Sequence, residues 1–116
     1  MYMIQFVLTD AQLTDRVLEG WYSAGITGTT LLNSSGISQR RMRIPGRYAY
    51  TLSTSAANNI TLIAVVENET IVKACLAATE AAVGDLDKPH TGFFTYWPLT
   101  GVKGINKKYS EESSND

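Results

Sequence analysis

Apolar and polar residues alternate from Met3 to Leu8 (MIQFVL), placing Ile4, Phe6 and Leu8 on one face and Gln5 and Val7 on the other, as in a strand. Thr9 followed three residues later by Gln12 has capping-box spacing. Behind it Leu13, Val17, Trp21 and Ala24 recur at helical intervals, and Gly25 predicts the stop. The β-rich stretch Ile26 to Leu32 predicts a second strand. From Asn33 to Asn59 the chain turns polar, with glycine, serine, proline and four arginines. It reads as a long connection over 34–59, with room for part of it to pair as a ribbon. Ile60 to Val66 (ITLIAVV) is apolar at nearly every position, the pattern of a strand buried on both faces. Asn68 is placed to cap a second helix, whose stripe of Ile71, Cys75, Ala78 and Ala82 runs beside Val72, Leu76 and Val83 until Gly84. The loop "DLDKPHT" then leads into an aromatic strand, Gly92 to Trp97 (GFFTYW).

The order is βαββαβ, the split βαβ or ferredoxin-like arrangement of the α+β class. It implies an antiparallel sheet with both helices on one face. Residues 1–108 read as one such domain and 109–116 as a polar tail. Gln5, Val7, Ile63, Val65 and one side of the aromatic strand then face away from the helices. So much apolar surface exceeds what a monomer comfortably exposes, so other copies of the chain are expected to cover it.

With 116 residues and 44% hydrophobic and 18% charged content, the chain is long enough for one core of ordinary composition. Its net charge of -1 argues against a duplex nucleic-acid binder. The single cysteine, Cys75, excludes an intrachain disulfide and a multi-cysteine metal site. The amino end lacks the basic residues and long apolar run of a signal peptide, and no stretch is long enough to span a membrane, so a cytoplasmic protein is expected.

The stretch "AGITGTTLLNSSGISQRR" and the carboxyl-terminal "TGFFTYWPLTGVKGI" resemble the PII-like signalling proteins, small trimeric ferredoxin-like regulators. The resemblance reaches to about Lys108, in element order more than in identity. Gly28 and Thr30 fall on the family's Gly-x-x-Gly-x-Thr strand, Gly36 on the glycine that begins its long loop, and Gln39-Arg40 near that loop's polar start. Pro98 falls at the usual proline. The resemblance implies a non-enzymatic regulator without a prosthetic group, holding an adenine nucleotide in each cleft between subunits. Its phosphates would meet backbone amides near Gly36, Ser38, Gln39 and Arg40 of one subunit and Thr91-Gly92 of another, with His90 and Lys103 nearby. The long loop would carry Arg41, Arg43 and Arg47 to a membrane transporter or other regulated protein. Glycines at both ends of the second strand would allow close approach to phosphate.

The departures bear on the ligand. The family's Gly-Asp-Gly-Lys loop is replaced by Gly84-Asp85 and an inserted "LDKPHT", with Phe93 where the lysine would be. Gly104 and Asn106 stand where paired arginines are usual, although Lys103, Lys107 and Lys108 lie close by. A less charged ligand, AMP or ADP, fits better than ATP with 2-oxoglutarate.

Each residue also has a plainer reading. Gly25, Gly28 and Gly36 suit turns and packing as well as phosphate, and the arginines suit a solvated surface as well as an anion or acidic partner. Tyr48 and Tyr50 lie where some relatives carry a modified tyrosine, but "YAYTL" alternates as a strand does. His90, the lone histidine, reads as an exposed loop residue with a ligand hydrogen bond as the alternative. Cys75 reads as a buried small hydrophobe. The aromatics Phe93, Phe94, Tyr96 and Trp97 fit an interface core better than RNA stacking. A CutA-like trimeric metal-binding protein shares the architecture, against which one histidine and no clustered cysteines count. A small enzyme would need a nucleophile–base pair that the sequence does not present.

Overall fold

The computed structural model describes residues 1–43 and 50–105. Strand β1 spans Tyr2–Leu8, β2 Thr30–Arg43, β3 Tyr50–Val66 and β4 Gly92–Pro98; helix α1 spans Thr14–Ser23 and α2 Glu69–Val83. The strands form one sheet in the order β2-β3-β1-β4, and every pairing is antiparallel. This is the ferredoxin-like arrangement that the element order implies.

Alternation along β1 decides what lies inside. Ile4, Phe6 and Leu8 are fully buried, and opposite them stand Ala64, Leu62 and Ile60 of β3 and Tyr96, Phe94 and Gly92 of β4. The helices close this face with Val17 and Trp21 from α1 and Val72 and Cys75 from α2. Thr79 is also fully buried, a position the apolar stripe passes over. Its hydroxyl accepts the Trp21 indole N–H at 2.8 Å and donates to the Cys75 carbonyl at 2.7 Å. The largest side chain in the core thus has its one polar atom satisfied, and the two helices are tied together at that point.

The ends of α2 form as the sequence predicts, with the Asn68 carboxamide accepting the Ile71 N–H at 3.0 Å and Gly84 at φ 98 closing the last turn. The start of α1 does not. No Thr9–Gln12 capping box forms; Asp10 accepts the Gln12 N–H at 3.1 Å and a 3₁₀ turn, Ala11–Leu13, precedes the helix. Thr9 follows the last residue of β1, beside the loop that enters β4, and its hydroxyl donates to the His90 carbonyl at 2.6 Å. A cross-strand acceptor wins over the local cap.

The second strand begins at Thr30 rather than Ile26, which instead packs into the core. The ladder of β2 with β3 continues from Thr30↔Ile63 to Arg43↔Tyr50, so the described residues of 34–59 are paired as a ribbon. That ribbon leaves the body of the domain. The radius of gyration is 19.0 Å, against about 13 Å for a compact chain of this length.

Thr79→Val should remove the indole's acceptor without changing side-chain size, costing about 1–3 kcal/mol, whereas Thr79→Ser should keep most of that stability. Urea unfolding of the two variants checks this; equal midpoints for wild type and Thr79→Val would show that the bond contributes nothing.

Candidate functional site

The registers order the expected site residues along the sheet. One transverse row is Gly92–Leu8–Ile60–Asn33, and another, in mid-sheet, is Thr95–Gln5–Ile63–Thr30. Pro98, Tyr2 and Val66 mark the far end. His90, Thr91 and Gly92 therefore sit at the same end as the root of the ribbon, which carries Gly36, Ser38, Gln39 and Arg40 outward opposite Ala57, Ser55, Thr54 and Ser53. Arg41 and Arg43 lie farther along β2, while Arg47 and Tyr48 fall outside the described residues, as do Asn106, Lys107, Lys108 and the tail.

Gly28 precedes the start of β2, toward the other end, and Lys103 follows β4 there, exposed. Six residue steps from Gly92 to Pro98 span about 20 Å, so these two groups lie too far apart for one small molecule within a single chain. At the Lys103 end a cavity of about 260 Å³ opens between Gly25–Thr27, Val65–Glu67 and Ile71, with Met1 and Ile105 at its margin.

At the other end the segment 84–91 is tied to itself. Asp85 accepts the Asp87 N–H at 2.9 Å, Thr91 Oγ1 donates to the Lys88 carbonyl at 2.9 Å, and His90 stands at φ 68 with its carbonyl held by Thr9. Gly92 has φ 114, and a Cβ there would overlap the Val7 carbonyl oxygen and come within 3.2 Å of the Phe6 ring. The β1–β4 ladder itself thus demands glycine at this position, so a substitution there reports on the sheet before it reports on any ligand. A Cβ at Gly28 would meet open space.

β2 is an edge strand, so alternate backbone amides between Gly36 and Arg40 face away from β3 and are free to meet an anion. Asp85 and Asp87 set two carboxylates close to Thr91-Gly92 in the chain, beside the single cation of Lys88.

The open face of the sheet carries Met3, Val7, Leu32, Ile63, Val65, Phe93 and Trp97, on positions alternate to the buried ones. Phe93 is 54% and Leu32 47% exposed. Near the ribbon root this apolar surface gives way to a hydroxyl pair, Ser34 and Thr61, 2.8 Å apart.

Among the described residues no group of three or more His, Cys, Asp or Glu is placed to hold a metal ion, and no helix is long and apolar enough to cross a membrane. Burial pushes the Cys75 thiol from 9.0 up to about 12, partly offset by the Thr79 side chain. It is a packing residue, neither nucleophile nor ready ligand.

No protein-family model and no curated protein sequence matches the chain. Solved structures do. Bacillus subtilis GlnK superimposes with a TM-score of 0.76 at 11% identity, over 93% of this chain and 92% of that one. The complex of B. subtilis GlnK with ATP superimposes at 0.73 and 12% identity, over 85% and 84%. The chain therefore has a PII-like fold. Likeness at this level of identity is one of fold alone.

Because only the thiolate reacts with alkylating agents, Cys75 should resist iodoacetamide in the folded protein at pH 8 and react at the ordinary rate in urea. Mass spectrometry of timed samples checks this; rapid labelling of the folded chain would contradict the buried, protonated thiol.

Proposed function

We propose that this chain is a non-enzymatic PII-like regulator that assembles as a homotrimer and binds an adenine nucleotide in clefts between subunits. The observation that carries the reading is the PII-like fold over nearly the whole chain, with an ATP complex of GlnK among its structural neighbours. The apolar open face supports assembly, since water-exposed Phe93, Leu32 and Trp97 beside Val7 and Ile63 are a patch that association would bury.

The separation of the two residue groups supports a shared cleft. In one copy Gly36, Ser38, Gln39 and Arg40 with His90, Thr91 and Gly92 occupy one end, Thr30 stands in mid-sheet, and Gly28 and Lys103 lie toward the other end. A cleft in which one end of a subunit meets the opposite end of its neighbour brings both groups to one nucleotide. The family resemblance implied Thr91-Gly92 of a different subunit from Gly36–Arg40; here both come from the same one, because Gly92 and the ribbon root share an end of the sheet. Outward amides of β2 and the Arg40 guanidinium would take the phosphates, with Lys103 of the neighbour as a second cation. The acidic residues of the 84–91 segment favour AMP or ADP over ATP with 2-oxoglutarate.

The regulatory step is a population shift: a ligand that touches the ribbon root in one ribbon arrangement and not in another selects the first. The ribbon with Arg41, Arg43 and Arg47 would then engage an acidic surface on a transporter or other target in the cytoplasm. The CutA-like alternative would need metal ligands beyond His90, and no described cluster favours it.

Light scattering should give three times the chain mass, and Ile63→Asp on the open face should abolish that assembly or the fold; a monomeric wild type sinks the trimer. For the cleft, calorimetry with AMP, ADP and ATP should show binding that Arg40→Ala and Lys103→Ala each weaken roughly tenfold or more. Mixing the two variants after mild dissociation should restore part of the tight binding, since some clefts regain both side chains. No recovery on mixing would place the two residues in separate sites. No heat with any nucleotide in the wild type would end the nucleotide reading.

A further inference from the structure

The corner between α2 and β4 lies on the helix side of the sheet, next to the 84–91 segment. Leu86, Phe93, Phe94 and Tyr96 line a groove of about 420 Å³ there, with Glu80 and Asp87 among them. Glu80 Oε2 accepts the Leu86 N–H at 3.0 Å, which fixes that carboxylate beside the groove, and Tyr96 stays 39% exposed. Among the described residues the lining holds no cationic side chain. Two carboxylates beside aromatic rings suit a planar guanidinium, which can hydrogen-bond to the acids while its face lies on a ring.

The chain itself carries such groups in excess at one place. Four of its five arginines, Arg40, Arg41, Arg43 and Arg47, fall within eight residues. A molecule's own β2 cannot deliver Arg40, Arg41 or Arg43 to its own groove. Arg40 lies seven residue steps beyond Asn33, about 24 Å past the end of the sheet, and β2 is three strands, about 14 Å, from β4. We propose that the groove receives an arginine from the β2–β3 ribbon of a second copy of this chain. The charge complementarity is between two parts of the same sequence that only separate molecules can bring together. Apart from Phe93, which also edges the open face, the aromatic rings of the groove belong to the helix side of the sheet, and the contact does not require the nucleotide.

Sedimentation velocity of the full chain over a range of concentrations tests this. The wild type should form species larger than its basal assembly as concentration rises, and these should dissolve in about 1 M salt, where the screening length falls to roughly 3 Å. Glu80→Gln/Asp87→Asn, which keeps hydrogen-bonding groups, should weaken the association roughly tenfold or more. Asp87→Lys and Arg41→Glu/Arg43→Glu should each lose it alone. Mixed, they should regain it, because the first retains the arginines and the second retains the groove. Circular dichroism and the high-salt basal mass control for folding. Absence of salt-sensitive association in the wild type overturns the proposal, as does association that survives in the charge variants or fails to return on mixing. Nucleotide titrations and the basal mass are read separately, so failure here is distinct from failure of the regulator reading.

Discussion

β1 is the constraint on which the molecule turns. It is paired on both sides, with β3 along one edge and β4 along the other, and its period-two alternation is transmitted through both ladders. Once Ile4, Phe6 and Leu8 are committed to the helices, Met3, Gln5 and Val7 must take the opposite face. Their partners in β3 and β4 follow, because a slip of one residue would exchange every side chain between faces. The helices have enough apolar surface to close only one side. The open face is therefore a direct consequence of how the core is made.

The same ladder limits what the glycines can mean. Gly92 is fixed by the approach of Val7 and by its positive φ, and it would be required whether or not an anion ever came near. Gly36 has a different setting, on an edge strand whose outer amides are unclaimed by β3. A glycine-rich pattern alone does not separate these situations. Backbone neighbours do, and they place the stronger case for ligand approach on the ribbon root.

Much of the architecture was legible from the residues because the elements nearest the core have clean periodicity. MIQFVL, ITLIAVV and GFFTYW declare strands, and Asn68 with Gly84 brackets α2 as expected. The misjudged points share one cause, which is a tertiary partner overriding a local preference. Thr9 abandons Gln12 for the His90 carbonyl, and Thr79 interrupts an apolar stripe because the Trp21 indole needs an acceptor. The ribbon was only half legible. Its serines, threonines and arginines show no apolar face, since a two-stranded arm projecting from the domain has little core to face. Which of the proposed site residues share an end of the sheet was not legible in the sequence, because that grouping arises from strand order and register.

The proposed cleft bears on how a fold of this kind can respond to a ligand. A site complete within one chain would change that chain and need not change its neighbours. A site divided between the two ends of a sheet joins the occupant's binding to the contact between copies, because each group is useful only when a neighbour supplies the other. The ribbon begins at one of these ends, at the Ser34–Thr61 pair where the apolar face stops. A shift at the interface there need only alter the direction in which β2 and β3 leave the sheet. Over the roughly 34 Å from Asn33 to Arg43, a change of a few degrees at the root displaces the arginines by ångströms. The length of the paired ladder, rather than looseness in it, would then amplify the signal.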